Sequence, residues 1–373
     1  MISIDVAKDS PRGAARHRDV IVVGGSAGAI DAVRAMLAGL PHDLEAAVLV
    51  VIHLPPSSPA HLADILRRDC ALPVDWATGD EPLSGGRVYL APPDRHLVVK
   101  ADRVLLTHAP RENNSRPAID PLFRSAALAY GPRVIGVVVS GRLDDGTAGL
   151  WAVKERGGIA IVQDPRDASH ADMPRNALQY TVADHVVSAA DMGPLIARLV
   201  GEPVPNSVGV VPRELELEVK IAMQSNALEE GVMTLGPPTP YTCPECHGVL
   251  ARMEQGGIPR FRCHTGHAFS LDSLLASVTE KVEETLWSAL RAVEETVILL
   301  GEAAGTGQRG REDGRGAASA DPRFLEKARE AKERANLIRE AVLRHQALSL
   351  ESIRASRASI SASPAAPTPS API

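Results

Sequence analysis

Aromatic residues make up only 3% of this 373-residue sequence, so its core must be built from Val, Leu, Ile and Ala. Cysteine is scarce too, with four in the whole chain, too few for a disulfide scaffold. Three of them, Cys243, Cys246 and Cys263, lie close together, the pattern of one metal-type site in a reducing compartment, which reads as cytoplasmic. No apolar run approaches the ~20 residues of a membrane span, and basic Arg12, Arg16 and Arg18 are followed by no signal-peptide core. Positive charge is not in excess: 40 Lys and Arg face 46 Asp and Glu, a net charge of −6, so no global field draws nucleic acid. The 30 Gly and 29 Pro follow no repeat, which excludes a collagen-like chain. With 45% apolar and 23% charged residues the chain is ordinarily globular and long enough for two to three domains.

Residues 1–18 are polar and patternless, a disordered leader. From 19 to 202 short β-branched runs alternate with amphipathic stretches. Strands are expected at 20–23, 46–52, 134–140 and 159–163, helices at 29–40, 61–68, 119–130 and 147–156, and hairpin-like pieces at 87–90, 96–99 and 103–107. Such alternation predicts an α/β fold, a doubly wound, mostly parallel sheet with helices on both faces. The pattern then fails. Residues 203–240 read as a linker with a short helix, 241–270 as a compact Cys/His module, 271–355 as a helical hairpin or coiled coil, and 356–373 as a disordered Ser/Ala/Pro tail. In the hairpin, Leu271, Leu274, Leu275, Val278, Val282, Leu286, Leu290, Val293 and Val297 form one stripe, and a Gly/Arg-rich break spans 305–320.

Gly24-Gly25-Ser26-Ala27-Gly28 sits between a strand and a helix. Small residues allow a tight turn there, the hydroxyl stands clear of the backbone, and helix N-terminal amides wait for an oxyanion. A phosphate-binding turn is the alternative; the missing Gly-Lys-Ser/Thr ending and the absence of G-x-G-x-x-G spacing count against it. His53 directly follows the second strand. Asp144 and Asp145 follow the strand at 134–140, where an acid can simply cap the next helix. Taken singly these residues are unremarkable. In a parallel sheet, however, all three strand ends share one edge, which brings a hydroxyl, a base and an orienting acid together.

At these residues the chain resembles the catalytic domain of the CheB methylesterases, the chemotaxis protein-glutamate methylesterase family. The likeness covers roughly 19–200 and rests on residues 23–29, His53-Leu54-Pro55-Pro56, 90–97, 116–123, 140–149 and 173–175. It implies Ser26 as nucleophile, His53 as base and Asp145 as orienting acid, with no cofactor for catalysis. The implied reaction is hydrolysis of glutamate methyl esters on methylated chemoreceptors or receptor-like signalling proteins, with glutamine deamidation as a further activity and a methyltransferase as counterpart. The family's Gly-Met-Gly-x-Asp-Gly loop helps form its oxyanion site; here Arg142 and Leu143 replace the Met and second Gly. Ala27, Gly28 and Arg142 are the oxyanion candidates, and Arg116 and Arg175 the candidates for docking acidic receptor helices. The family's receiver domain does not precede this catalytic pattern, and about 170 residues follow it.

In the C-terminal module, Cys243-Pro244-Glu245-Cys246 is followed after sixteen residues by Cys263-His264-Thr265-Gly266-His267. Three thiolates and an imidazole suit a closed, structural Zn2+ site of Cys243, Cys246, Cys263 and His267, with His264 as a rival fourth ligand. Cys70 reads as a buried helical thiol. Nucleic-acid binding and membrane insertion are not expected, whereas a dimer through the C-terminal helices is one way to cover their apolar stripe. A non-catalytic signalling scaffold using the zinc module and helices is the alternative function. With the extension acting as a partner-docking module, removing 203–373 is expected to leave small-ester turnover nearly unchanged.

Overall fold

The computed structural model describes residues 17–55, 61–204, 210–306 and 321–346, with 348 and 353. The expected leader up to residue 16, the break beyond 306 and the tail lie outside these residues. The chain divides into two compact units, one ending at Leu274 and one starting at Leu275.

The first unit begins β1 (Val20–Gly25), α1 (Ala29–Ala38), β2 (Ala47–Ile52), α2 (Leu62–Arg67), β3 (Val74–Trp76), β4 (Glu81–Pro82), β5 (Arg87–Leu90), β6 (His96–Lys100) and β7 (Arg103–Thr107). It continues with α3 (Ile119–Tyr130), β8 (Val134–Val138), α4 (Thr147–Glu155), β9 (Ile159–Gln163), α5 (Asp172–Tyr180), β10 (His185–Val187), α6 (Ala189–Val200) and α7 (Arg213–Ala222). Seven strands form one sheet in the order β10-β9-β8-β1-β2-β5-β3, and every pairing is parallel. Val20 and Val22 pack into one apolar layer with α3 and α4, while Ile21 and Val23 pack into the opposite layer with α1 and α6. Both faces are covered, as the uninterrupted apolar strands require. The piece at 87–90 is not part of a hairpin: Val88, Tyr89 and Leu90 are buried and pair with β2 and β3 in the main sheet. Only β6 and β7 form the expected hairpin, with β4 beside β7. Cys70 lies past the end of α2 and is half-buried; burial raises its thiol pKa.

From β1 the chain winds outward through β2, then returns to β8 on the other side of β1. The switch point between β1 and β8 is where an open parallel sheet leaves a crevice at its carboxyl edge.

Four antiparallel strands follow: β11 (Pro238–Thr242), β12 (Val249–Gln255), β13 (Ile258–Cys263) and β14 (Ala268–Ser270). This ribbon is built into the first unit rather than tethered to it. Arg260 and Arg262 of β13 enter a buried ionic cluster with Glu112, Glu218 of α7 and Arg124 of α3, none more than 2% exposed. Arg260 meets Glu218 at 2.6 Å, and Arg262 meets Glu218 at 2.8 Å and Glu112 at 3.0 Å. Despite burial, the surrounding guanidinium groups hold both glutamates below the usual carboxylate range. Charges so deeply buried are tolerable only when paired on all sides, so this contact cannot part cheaply.

The second unit holds most of α8 (Leu271–Thr306) and all of α9 (Pro322–Arg344). Arg339 pairs with Glu294, while His345 Nε2 donates to the Thr279 carbonyl at 2.8 Å, so the two helices run antiparallel. Leu290, Ala331, Ala335 and Val342 are buried, but Val278 and Val282 of the expected stripe are exposed. Among the described residues no helix is long and apolar enough to cross a membrane.

Candidate active site

The ends of β1, β2 and β8 bring the polar residues together. Ser26 follows Gly25 at once, and its amide donates to the Ser140 carbonyl beyond β8 at 3.0 Å. The His53 amide donates to Gly25 O at 3.1 Å, tying the second strand end to the first. Gly28, with φ +72°, turns the chain into α1, and a Cβ there would stand 2.7 Å from Ser169 and 2.8 Å from Ser140 Oγ. Ser140 Oγ locks the turn by donating to Ala27 O at 2.8 Å while accepting from the His170 amide at 2.9 Å.

Asp145 is 2% exposed and accepts from every side. His53 Nε2 reaches Oδ2 at 2.7 Å, the Ile119 amide reaches the same oxygen at 2.7 Å, and Asn113 Nδ2 and the Gly146 amide reach Oδ1 at 2.9 and 3.0 Å. Ile119 opens α3, so the carboxylate also lies at the positive end of a helix. Burial alone would raise its pKa; the His53 hydrogen bond and charge and the amide donors outweigh that and hold it below the usual range. An ionised Asp145 can only accept, so Nε2 carries the imidazole proton and Nδ1 is left as the basic atom. That atom lies 3.2 Å from Ser115 Oγ. Among the described residues no hydrogen bond joins Ser26 to His53.

The neighbouring acids differ sharply. Asp144, half-buried, accepts from Ser270 Oγ at 2.5 Å, and burial pushes its pKa up to about 7. It does not cap α4 through its side chain, as the sequence suggested; Gly146 stands at that cap. Asp120 is raised to about 6 by burial and by the charge of Asp145. His96, buried beside the site, is lowered to about 4 by burial and held between Pro110 O and the Ala118 amide.

A cleft of about 250 Å3 opens at His53, lined also by Leu54, Pro55, Arg111, Asn114, Ser115 and Arg116. Arg116 thus borders the site, but its guanidinium is engaged by Asp94 at 2.7 Å and by Ala109 O at 2.9 Å. Arg142 and Arg175 are exposed, one in the loop after β8 and one on α5. In that loop Leu143 has φ +59°, a left-handed conformation that glycine adopts most readily.

Ser115 and Asn113 escaped the reading from sequence. The available signal was Asn113-Asn114, both with positive φ (49° and 64°), in a polar run just ahead of a helix.

The CheB methylesterase family model matches residues 21–196. A putative protein-glutamate methylesterase/protein-glutamine glutaminase of Leptospira interrogans is 38% identical over 182 residues, 48% of this chain and 94% of the relative. The chain belongs to the CheB methylesterase family. A protein-glutamate methylesterase/protein-glutamine glutaminase of Anaeromyxobacter dehalogenans is 37% identical over 180 residues, covering 48% of this chain and 53% of that protein. The solved catalytic domain of Thermotoga maritima CheB methylesterase is 32% identical, with 49% of this chain and 98% of that domain covered and a TM-score of 0.47. The family segment ends well before the ribbon.

Among the described residues one cluster could hold a metal ion. The donor atoms of Cys243, Cys246, Cys263 and His267 all lie within 4.8 Å of one another, with Cys246 and Cys263 sulfurs 3.6 Å apart. Tetrahedral Zn–S bonds of about 2.3 Å would set sulfurs roughly 3.8 Å apart, close to the Cys246–Cys263 spacing, and three thiolates with one imidazole are a donor set that suits zinc. Two tight turns frame it: the Cys243 amide donates to Gly248 O at 2.7 Å, and the Cys263 amide to His267 O at 3.0 Å.

Proposed function

We propose that this protein hydrolyses glutamate methyl esters on chemoreceptor-type proteins through Ser26, His53 and Asp145. Ser26 attacks the ester carbonyl, His53 takes its proton at Nδ1, and the resulting imidazolium is held by the ionised Asp145. The protonated His53 then returns the proton to the leaving methoxide, releasing methanol and leaving an acyl-enzyme on Ser26. Water activated by His53 frees the glutamate. Attack on a glutamine amide would follow the same course, with ammonia leaving. Nucleophile, base and acid are all side chains, so this chemistry calls for no cofactor. Amides of Ala27 and Gly28, at the turn into α1, are the natural donors to the tetrahedral oxyanion.

The observation that carries this reading is the His53–Asp145 hydrogen bond, its carboxylate buried and saturated with donors, at the strand end next to Ser26. Serine-reactive phosphonate should label Ser26, and the full chain should release methanol from methylated receptor membranes. A protein that binds those membranes without releasing methanol or taking label would be a scaffold instead. Cys243, Cys246, Cys263 and His267 would hold a structural zinc, one per chain, which metal analysis of the Cys243→Ser/Cys246→Ser variant should show lost.

A further inference from the structure

The ribbon lies far outside the family segment, yet its last strand touches the loop that feeds the active site. Asn113 N donates to Ala268 O at 2.8 Å, and the Ala268 amide returns a bond to Arg111 O at 3.2 Å. Residues 111–113 thus run alongside β14, which starts directly after His267 of the Cys/His cluster. The Asn113 side chain is 7% exposed at the residue level and bridges the two structures. Its Oδ1 accepts from the Ser270 amide at 2.9 Å and from Ser273 Oγ at 3.0 Å, while its Nδ2 donates to Asp145 Oδ1 at 2.9 Å. Two residues on, Ser115 reaches His53 Nδ1. Arg111 and Glu112 add ion pairs from the same loop, to Glu245 in the cysteine knuckle and to Arg262 on β13.

We infer that the ribbon is a strut of the catalytic site, and that Asn113 is the positioning residue through which it sets the Asp145 carboxylate. An amide has one acceptor oxygen and one donor nitrogen. With its oxygen fixed by the last ribbon residue and the first turn of α8, its nitrogen is turned to the acids, donating to Asp145 Oδ1 at 2.9 Å and more loosely to Asp120 Oδ2 at 3.3 Å. Asp145 in turn fixes the ring of His53. A metal that closes the cysteine knuckles would therefore stiffen the site from behind, touching neither substrate nor any reacting atom.

This rests on the triad reading, and the test keeps the two apart. In the full-length, zinc-loaded chain, Asn113→Ala and Ser273→Ala should each lower kcat on a small methyl ester by roughly 10- to 100-fold, the scale for partners that orient a working side chain. KM should stay nearly constant, because neither residue meets the ester. A folded variant with wild-type kcat, or one changed in KM alone, overturns the strut. Should Asn113→Ala fail to fold, Ser273→Ala decides, since it leaves the amide bond to Asp145 in place but frees its other end. Chelation supplies a readout without turnover: hydrogen exchange at the Asn113 amide should accelerate, and unchanged exchange after metal loss overturns the coupling. Wild-type protein whose Ser26 resists phosphonate would sink the triad itself, whereas a labelled Ser26 with insensitive variants sinks only the strut.

Discussion

Two regions meet at His53, and they are built on different rules. The strand-end region places Ser26, His53 and Asp145 by topology: three parallel neighbours end on one edge, and each residue follows its strand. The loop-and-ribbon region places Asn113, Ser115 and Glu112 by long-range partners, the furthest of them Ser273, 160 positions away. On the proposed mechanism the first region supplies the groups that react and the second holds them in register. A chemistry carried by strand ends can be shared by a whole family, while its support can be rebuilt from segments that the family does not share.

The largest test of this division contrasts two serines on either side of His53. Ser26→Ala should abolish ester hydrolysis, on the order of 10⁶-fold in kcat as when a nucleophile is removed from a serine protease. Ser115→Ala should cost far less, about tenfold, because it removes a partner of Nδ1 rather than the attacking oxygen. Burst kinetics with an activated ester would measure both. If the two losses were reversed, the nucleophile would belong to the loop.

A second test breaks the support. Glu218→Ala strips Arg260 and Arg262 of a shared buried partner, and unpairing charges at such depth costs about 3–5 kcal/mol. Urea unfolding should record that loss. The glutamate pKa values are depressed in the folded state. Their stabilisation is thus present above the unfolded value near 4.5 and disappears as pH falls through the folded values. The same cluster revises the truncation expected to be harmless. Removing 203–373 deletes Glu218, Arg260, Arg262, Ser270 and Ser273 together, so small-ester turnover should fall rather than hold.

The sheet was legible because its strands are apolar throughout and its helices periodic; α3 and β9 have the bounds their pattern predicts. The site was legible because motif residues fall just after strands. Short elements were not: β3, with three residues, and β10, half-exposed, carry too little pattern to stand out from loops. The ribbon's attachment was hidden for another reason. Nothing local to Arg260 and Arg262 marks them for burial, and only their distant partners Glu112 and Glu218 make it possible. Arg116 illustrates the converse, a charge read as substrate-facing that is engaged by Asp94.

A third test probes the strand-end region where it departs from its family. Leu143 holds φ +59°, a conformation costing a non-glycine residue about 1–2 kcal/mol. Leu143→Gly should relieve it. Part of the gain is offset by the greater freedom of glycine in the unfolded chain, leaving roughly 0.5–1 kcal/mol. Thermal unfolding should show the rise with kcat little changed, since the loop already has the shape that glycine permits. A drop in stability would mean that the Leu143 side chain contributes more packing than its backbone costs.

The smallest effect is expected where the two regions touch away from the chemistry, at Asp144. Its carboxyl accepts from Ser270 Oγ and makes no contact with His53, so Asp144→Asn should leave kcat nearly unchanged while Asp145→Asn does not. Its stability effect has a definite sign. Burial raises the folded pKa to about 7, against about 3.9 for an unfolded Asp. At pH 8 both states carry the charge and the folded state bears its desolvation. As pH falls from about 7 towards 4, the folded protein takes up the proton first and stability is recovered. The Asn variant carries no such charge at any pH. It should therefore melt higher than wild type at pH 8, by a margin that narrows steadily on acidification and is gone below pH 4. Melting curves between pH 4 and 8 would show this convergence. A constant offset would place the Asp144 carboxylate in solvent, and the contact between strand end and ribbon would then be carried by Asn113 alone.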